Sequence, residues 1–309
     1  MKPCVIRCEH LVKDYGHLRG NFDLSLSLLE GECLGISGEN GAGKTTLLRQ
    51  IMGFIKPDSG SIQIYQYDAY TDAAKTKQYI GYIPGEINFP DVKSGTVFLH
   101  EYGTSLGAEE ENYQYADQII QRMQLDIRAY PKRMSKGMKQ KTAIVAALML
   151  KAPILIMDEP TTGLDPLMRE EFLELVLEQK KRGASIIMTS NTIEELERVC
   201  DKVALLSQGK IVDVVSMEDM RNRFFRDYKI EFIKEEDYLS FLKGRNDIQQ
   251  VKPELLQVTL RVAKEEVPML MRRLSLYQVK YLSEKKYTLS DYFTEKRRQQ
   301  KGANYKEFK

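Results

Sequence analysis

Apolar and polar positions follow two different periods along the first two-thirds of the chain. Every second residue of 22–28 is apolar, which indicates a strand with one buried face. Residues 154–157 are all apolar, as expected of a strand that is covered on both faces of a parallel sheet. Between such strands, apolar residues recur at helical spacing. Strands that alternate with helices predict an α/β fold with a largely parallel core sheet.

The two periods, together with turn and cap residues, place the individual elements. Strands are predicted at 5–15, 22–28, 33–37, 61–65, 154–157, 184–189 and 203–206. Helices are predicted at 45–53, 135–148, 166–182 and 193–200, and helical character extends over 96–126.

The pattern changes after Met217. Strands are predicted at 228–233, 255–262 and 279–282, and helices at 236–242, 264–274 and 289–298. This is the pattern of a small α+β module, and it contains no recognisable catalytic cluster. We therefore predict two domains, 1–217 and 218–309.

Residues 38–46 read Gly-Glu-Asn-Gly-Ala-Gly-Lys-Thr-Thr and lie between a predicted strand and a predicted helix. In that setting the run is typical of a phosphate loop. Its glycines let backbone N–H groups approach phosphate oxygens, its lysine reaches the β- and γ-phosphates, and its first threonine ligates Mg²⁺. The predicted ATP-binding residues are Gly38, Glu39, Asn40, Gly41, Ala42, Gly43, Lys44, Thr45 and Thr46.

Two carboxylates follow each other at the end of the apolar run 154–157. Asp158 is costly at the end of a buried strand unless it is paired or serves a metal, so we assign it with Thr45 to Mg²⁺. Glu159 points to the other side of the strand, where it is a candidate base for a water beside the γ-phosphate.

A short Ser-x-Gly turn opens the helix that begins near residue 135. Ser135 is a favourable N-cap residue, and Gly137 lets the backbone approach an anion. Aimed at a γ-phosphate held by a second copy, this helix N-terminus would make ATP the link of a dimer. We therefore assign Ser135, Lys136 and Gly137 to the ATP of a partner.

The composition of the chain indicates which partners and which cellular location to expect. The chain has 309 residues, 42% of them hydrophobic, and a formal net charge of +2. Basic residues are spread out, so no nucleic-acid partner is expected. No run reaches the roughly 18 apolar residues of a membrane span. The four cysteines show neither metal-site nor disulfide spacing. We expect a cytoplasmic protein whose role at a membrane would require a partner.

The motifs together resemble the nucleotide-binding subunit of an ABC transporter, over residues 4–214. Residues 134–138, Met-Ser-Lys-Gly-Met, resemble that family's Leu-Ser-Gly-Gly-Gln signature, with Lys136 at the place of a Gly and Met138 at the place of the Gln. Residues 163–165, Gly-Leu-Asp, resemble the family's D-loop, which couples the two nucleotide sites, and Asp165 is its acidic residue. Tyr15 stands where the family places an aromatic residue that stacks on adenine.

This resemblance implies a P-loop NTPase with ABC-type antiparallel β and α-helical subdomains, followed here by the small C-terminal α+β module. It implies an ATPase that closes around two ATP molecules as a homodimer or with a homologous ATPase subunit. Closure would drive an integral membrane permease, with the ATPase peripheral on the cytoplasmic face. The chain looks most like the drug, peptide or antibiotic-export branch.

Two positions depart from the family pattern. The glutamine that usually follows the strand before residue 85 is replaced by Gly85 and then Glu86, so Glu86 or water would complete the metal contact. The usual switch histidine is Asn191, which donates a hydrogen bond but does not titrate near neutral pH. We expect Glu159 and Asn191 to serve catalysis, with slow turnover.

Two alternatives belong to other classes. A soluble ATP-gated regulatory switch without a transport role is compatible with the missing glutamine and histidine. A different P-loop enzyme, such as a kinase, would leave the motifs at Ser135 and Asp165 unexplained.

Overall fold

The computed structural model describes residues 2–222, 224–285, 287–294 and 296. The chain forms two compact units, one up to Met217 and one from Glu218 onward.

The elements of the first unit are numbered in chain order. Its strands are β1 (Cys4–Asp14), β2 (Gly20–Leu29), β3 (Cys33–Ser37), β4 (Ser59–Ile64), β5 (Tyr67–Asp68), β6 (Ile80–Ile83), β7 (Ile154–Asp158), β8 (Ser185–Thr189), β9 (Lys202–Ser207) and β10 (Lys210–Ser216). Its helices are α1 (Lys44–Ile51), α2 (Ala73–Thr76), α3 (Gly95–Ser105), α4 (Glu110–Arg122), α5 (Lys136–Met149), α6 (Pro166–Lys181) and α7 (Ile193–Val199).

A six-stranded sheet with the order β10-β9-β3-β8-β7-β6 forms the centre of this unit. Its strands are parallel except β10, which runs antiparallel to β9. Every residue of β3, β7 and β8 is buried, so these strands are covered on both faces as their apolar runs predict. The carboxyl ends of β3, β7 and β8 therefore meet at one edge, where the predicted chemistry lies.

A second, antiparallel sheet has the order β2-β1-β4-β5. Its inward residues, such as Leu11 and Leu28, join Leu47 and Leu48 of α1 in one hydrophobic core. Helix α1 is held between the two sheets by this core, which fixes the position of the phosphate loop at its N-terminus.

The helices α3, α4 and α5 pack on one another and form a helical part of the unit. Residues 142–149 of α5 are all buried, which anchors the helix that begins at the Ser-x-Gly turn. Arg122 of α4 donates to Glu171 at 2.5 Å and to both oxygens of Glu178, so α4 is tied to α6. The expected α/β P-loop fold with antiparallel and helical parts is confirmed.

After the helix α8 (Met217–Arg221), the described residues up to 285 contain four strands and two α-helices. They are β11 (Phe225–Phe232), α9 (Glu235–Leu242), β12 (Ile248–Lys252), β13 (Gln257–Ala263), α10 (Val267–Leu274) and β14 (Val279–Lys285). The sheet order β12-β13-β11-β14 with this βαββαβ succession is a ferredoxin-like arrangement. Tyr228, Ile230 and Phe232 alternate along β11 and pack with Phe241 and Leu270 in a core of their own.

Three strands were not among the sequence predictions, namely β5, β10 and β12. The predicted helix 289–298 is helical at 289–294, and several of its later residues lie outside the described part of the chain. None of the helices in the described ranges combines the length and the hydropathy that crossing a bilayer requires.

Candidate functional site

A cleft of about 310 Å³ opens beside the loop between β3 and α1. The structure thus brings nine of the ten predicted ATP-binding residues to one place, and Gly38 lies immediately before them. Sequence reasoning missed Arg19, which shares the cleft with Tyr15. The residues that line the cleft are Tyr15, Arg19, Gly20, Glu39, Asn40, Gly41, Ala42, Gly43, Lys44, Thr45, Thr46 and Glu159.

Lys44 is buried, and its ammonium group lies at the centre of the site. Its Nζ donates to the carbonyl of Gly38 at 2.7 Å and to Oδ1 of Asn191 at 3.0 Å, and lies 3.7 Å from Oε1 of Glu159. The charge is therefore held where the phosphate loop, the residue after β7 and the loop after β8 meet. The N-terminus of α1 adds the positive end of the helix dipole.

The backbone at Gly43 explains why the loop requires glycine there. Its φ is +105°, and a Cβ atom would lie 2.5 Å from Nδ2 of Asn21. Asn21 is fully buried in β2, and its Nδ2 donates to the carbonyl of Gly43 at 3.2 Å. Asn21 was not predicted, because it continues the polar positions of the alternation in 22–28 and therefore reads as an exposed residue.

Asp158 has one engaged and one orphaned oxygen. Its Oδ1 accepts from the hydroxyl of Thr189 at 2.8 Å, and that hydroxyl accepts from the N–H of Glu159 at 2.9 Å. Its Oδ2 is buried without a hydrogen-bond partner among the described residues. Burial raises the pKa of Tyr82 to about 12, and the charge of Asp158 adds to that rise. A buried carboxylate oxygen left over in this way fits hydrated Mg²⁺.

Gly85 lies next to Asp158, whereas Glu86 is outside the cleft. A Cβ at Gly85 would lie 2.9 Å from Oδ2 of Asp158, so the glycine keeps the space beside that oxygen open. Glu86 does not line the cleft, but borders a separate depression of about 460 Å³ with Lys136 and Lys139. The described residues contain no group of three His, Cys, Asp or Glu side chains that could hold a metal ion. Asp158 and Thr45 are the residues of this site that would contribute to holding a hydrated Mg²⁺.

Glu159 and Asn191 lie within hydrogen-bond distance of each other. Nδ2 of Asn191 donates to Oε1 of Glu159 at 2.8 Å, while its Oδ1 accepts from Lys44. Glu159 has a left-handed backbone with φ +47°, which is a strained conformation for a non-glycine residue and is common at functional sites. The amide of Asn191 thus links the lysine to the candidate base.

The signature segment, residues 134–138, lies beside the D-loop, residues 163–165, of the same chain. Ser135 caps α5 by accepting from the N–H of Met138 at 3.2 Å, and Asp165 caps α6 by accepting from Met168 at 3.0 Å. A Cβ at Gly137 would lie 2.8 Å from the carbonyl of residue 163, so the two segments touch.

The signature segment does not reach the cleft of its own chain. Ser135, Lys136 and Gly137 are absent from the cleft lining. A buried hydrogen bond from Gln140 to the carbonyl of Pro160, at 2.8 Å, ties α5 to the segment that follows Glu159. Gln140 was not predicted, because its partner is distant in sequence.

Comparisons with known proteins indicate the family of the chain. A family model described as "ABC transporter" matches residues 22–162. The Linearmycin resistance ATP-binding protein LnrL of Bacillus subtilis is 35% identical over 230 residues, which cover 74% of each protein. The uncharacterized ABC transporter ATP-binding protein YdbJ of the same organism is 30% identical over 295 residues, 94% of each. A solved structure of an ATP-binding subunit of an ABC transporter has a TM-score of 0.66 at 30% identity, covering 71% of this chain and 93% of its own.

The fold and the cleft define a P-loop nucleotide-binding protein. With these relatives, the chain belongs to the ATP-binding proteins of ABC transporters. It binds ATP and is an ATPase of the ABC type, as the sequence predicts.

The predicted stacking of Tyr15 on adenine can be tested by substitution. The ring is 51% exposed, with Nζ of Lys13 5.8 Å from its centroid. Because base stacking on an aromatic ring contributes about 1–3 kcal/mol, Tyr15→Ala should weaken ATP binding about tenfold, and Tyr15→Phe should not. Calorimetric titration with ATP measures the change.

Tyr70 is a matched control for this substitution. It is 44% exposed and has Nζ of Lys56 5.8 Å from its ring centroid, but it does not line the cleft. Tyr70→Ala should leave the dissociation constant of ATP unchanged. Equal losses for Tyr15→Ala and Tyr70→Ala would remove Tyr15 from the nucleotide site.

Proposed function

We propose that two copies of this chain, or one copy and a homologous ATPase subunit, close around two ATP molecules and drive a separate integral membrane permease. The observation that carries the proposal is the position of Ser135, Lys136 and Gly137. These residues lie at a helix N-terminus suited to an anion, yet outside the cleft of their own chain. A second copy would supply the γ-phosphate that they lack.

Within each cleft, we propose a separate role for each side chain that would contact the nucleotide or its metal. Lys44 and the N–H groups of α1 bind the phosphates, and Tyr15 stacks on adenine. Asp158, through its orphaned Oδ2, and the hydroxyl of Thr45 hold hydrated Mg²⁺, which lowers the charge on the phosphates. Glu86 is the remaining candidate for a metal contact, or water takes that place.

The chemical step is assigned to Glu159 and Asn191. Glu159 accepts a proton from the attacking water as the oxygen–phosphorus bond forms, and ADP leaves with the bridging oxygen. Asn191 holds the carboxylate by its 2.8 Å hydrogen bond and offers its amide to the γ-phosphate when the nucleotide is bound. An amide does not change its charge with pH, so this contact would not add a titration near neutral pH.

Export is the proposed direction, and a drug, peptide or antibiotic the proposed class of cargo. The name of LnrL, which is 35% identical to this chain, states resistance to linearmycin, and that supports the proposal. The subunit would be cytoplasmic and peripheral on the cytoplasmic face of the membrane. The domain 1–217 would carry the ATP chemistry, and the α+β domain 218–309 would be accessory.

Ser135→Ala tests the sandwich, in a Glu159→Gln background that retains ATP. Its hydroxyl accepts from Met138 within its own helix and is proposed to donate to the partner's γ-phosphate. A hydrogen bond to a charged group contributes about 1.5–3 kcal/mol, so the ATP-dependent dimer should weaken by tenfold or more, about 100-fold if both sites respond. Sedimentation in Mg-ATP measures the dimer, and ATP binding to the monomer should be unchanged.

Ser94→Ala is the matched control. Ser94 caps α3 by accepting from the N–H of Val97 at 3.2 Å, the same distance as the Ser135 cap. Each alanine therefore removes an equivalent N-cap, at a cost of about 1 kcal/mol. Only Ser135→Ala should affect the dimer. Equal dimer affinity of the two variants would contradict the proposed contact.

A further inference from the structure

A buried carboxylate lies behind the catalytic cleft, on α7. Glu195 is 2% exposed and does not line the cleft. Its Oε2 accepts two hydrogen bonds, from the hydroxyl of Ser190 at 2.7 Å and from the hydroxyl of Thr161 at 3.0 Å. One oxygen atom thus joins two segments that are 29 residues apart in sequence (190 − 161).

Both donors lie within two positions of the residues assigned to the chemical step. Ser190 immediately precedes Asn191, and its hydroxyl also accepts from the N–H of Thr192 at 2.9 Å. The backbone is therefore held on both sides of Asn191. Thr161 lies two residues after Glu159, in the turn where the N–H of residue 162 donates to the carbonyl of Glu159 at 3.1 Å.

The second oxygen of Glu195 faces a positive charge. Nε of Arg169 lies 3.3 Å from Oε1, without the alignment of a hydrogen bond. Arg169 is in the first turn of α6, where its N–H donates to the carbonyl of Asp165 at 2.9 Å. The charge of Glu195 is thus balanced by the helix that follows the D-loop.

A buried ion pair is a costly way to fill space. Desolvation of the two charges offsets much of their attraction, and apolar residues of similar volume often stabilise a fold better. Here the charged oxygen instead accepts from the two hydroxyls that flank the Glu159–Asn191 pair. This arrangement favours a role in holding geometry over a role in stability alone.

We propose that Glu195 is a positioning residue for ATP hydrolysis. Its carboxylate holds the segments of Ser190 and Thr161 at the separation that lets Asn191 donate to Glu159. It contacts neither the nucleotide nor the reacting water, so it acts on kcat and not on ATP affinity. The inference rests on the proposed roles of Glu159 and Asn191.

Glu195→Gln tests the proposal. Glutamine has no charge, and its NH2 group must face either the two hydroxyls or Arg169, so it cannot hold all three partners as the carboxylate does. Because a displacement of about 1 Å at a catalytic group costs up to about 100-fold in rate, kcat should fall by about 10- to 100-fold. The dissociation constant of ATP should stay within about twofold of the wild-type value.

Glu32→Gln is the matched control. Glu32 is 7% exposed, accepts from the N–H of Leu29 at 2.9 Å and pairs with Lys202 at 2.8 Å, but lies outside the cleft lining. The substitution removes another buried charge from the same unit and should leave kcat unchanged. A loss of kcat equal to that of Glu195→Gln would mean that Glu195 acts through stability, which overturns the proposal.

A double-mutant cycle separates this inference from the proposed function. If Glu195 acts through Asn191, then Glu195→Gln should lower kcat by no more than about twofold once Asn191→Ala is present. Full additivity would overturn the positioning role. An unchanged kcat for Asn191→Ala alone would overturn the proposed role of Asn191 together with the inference. A large effect of Asn191→Ala with none from Glu195→Gln would overturn the inference alone.

Ser190→Ala keeps the test valid if Glu195→Gln fails to fold. It removes one donor and leaves the carboxylate with Thr161 and Arg169. It should lower kcat several-fold with unchanged ATP affinity and a melting temperature near that of the wild type. A wild-type kcat for this variant would contradict the proposal.

Discussion

Glu159→Gln should lower kcat for ATP hydrolysis by about 1,000-fold while ATP remains bound, because general bases typically contribute about 10²–10⁴-fold. The amide keeps the size of the side chain and can still accept from Nδ2 of Asn191, so the geometry of the cleft should persist. What is lost is the group that takes the proton from water. Release of phosphate under saturating Mg-ATP measures kcat, and calorimetry measures the retained affinity.

The control for Glu159 should share its exposure and its cationic neighbour. The side chain of Glu159 is 29% exposed and lies 3.7 Å from Lys44, while that of Glu171 is 30% exposed and pairs with Arg122. Glu171→Gln should keep kcat within about twofold of the wild-type value. If Glu159→Gln hydrolyses ATP as fast as the wild type, Glu159 is not the base.

The second large effect concerns Lys44. Lys44→Ala should weaken ATP binding by about 100-fold, because a hydrogen bond to a charged partner contributes about 1.5–3 kcal/mol and the phosphates carry several charges. The loss also leaves the carbonyl of Gly38 and Oδ1 of Asn191 without their donor. Calorimetric titration with Mg-ATP measures the affinity, and the melting temperature without nucleotide reports on the fold.

Lys56→Ala serves as the control for Lys44. Lys56 belongs to the same unit, lies near the ring of Tyr70 and does not line the ATP cleft. Its removal changes the net charge equally but should leave ATP affinity within about twofold, since exposed charges are screened by salt. Retention of wild-type ATP affinity by a folded Lys44→Ala protein would contradict the phosphate-binding role.

Strands that bury one or both faces in the core could be predicted from the sequence. The runs in β3 and β7 are continuous or nearly so, and the alternation in β2 is regular, so pattern and burial agree. The strand β12, Ile-Gln-Gln-Val-Lys, was missed because it is an edge strand with three of five residues exposed. Such a strand forms because it pairs with β13 through backbone hydrogen bonds. Backbone hydrogen bonds do not require a hydrophobic periodicity in the sequence.

The residues of the candidate site also fall into two groups, those that the sequence predicted and those that it did not. Contiguous motifs were readable because the phosphate loop and the pair Asp158 and Glu159 combine residue type, spacing and setting. Asn21, Thr189 and Gln140 were missed, because the role of each depends on a hydrogen bond to a residue 20 to 31 positions away in sequence. Isolated polar residues in buried strands and helices are therefore candidates for side chains that hold a site in place.

The measurement that tests the central claim most directly is the recovery of partners with tagged Glu159→Gln protein from detergent-solubilised membranes, with and without Mg-ATP. The account predicts that an integral membrane protein copurifies in stoichiometric amount, and mass spectrometry then identifies the permease. Lys44→Ala protein, handled in parallel, separates nucleotide-dependent recovery from constitutive recovery. Recovery of soluble proteins alone, under both nucleotide conditions, would contradict the claim that this ATPase drives a membrane permease.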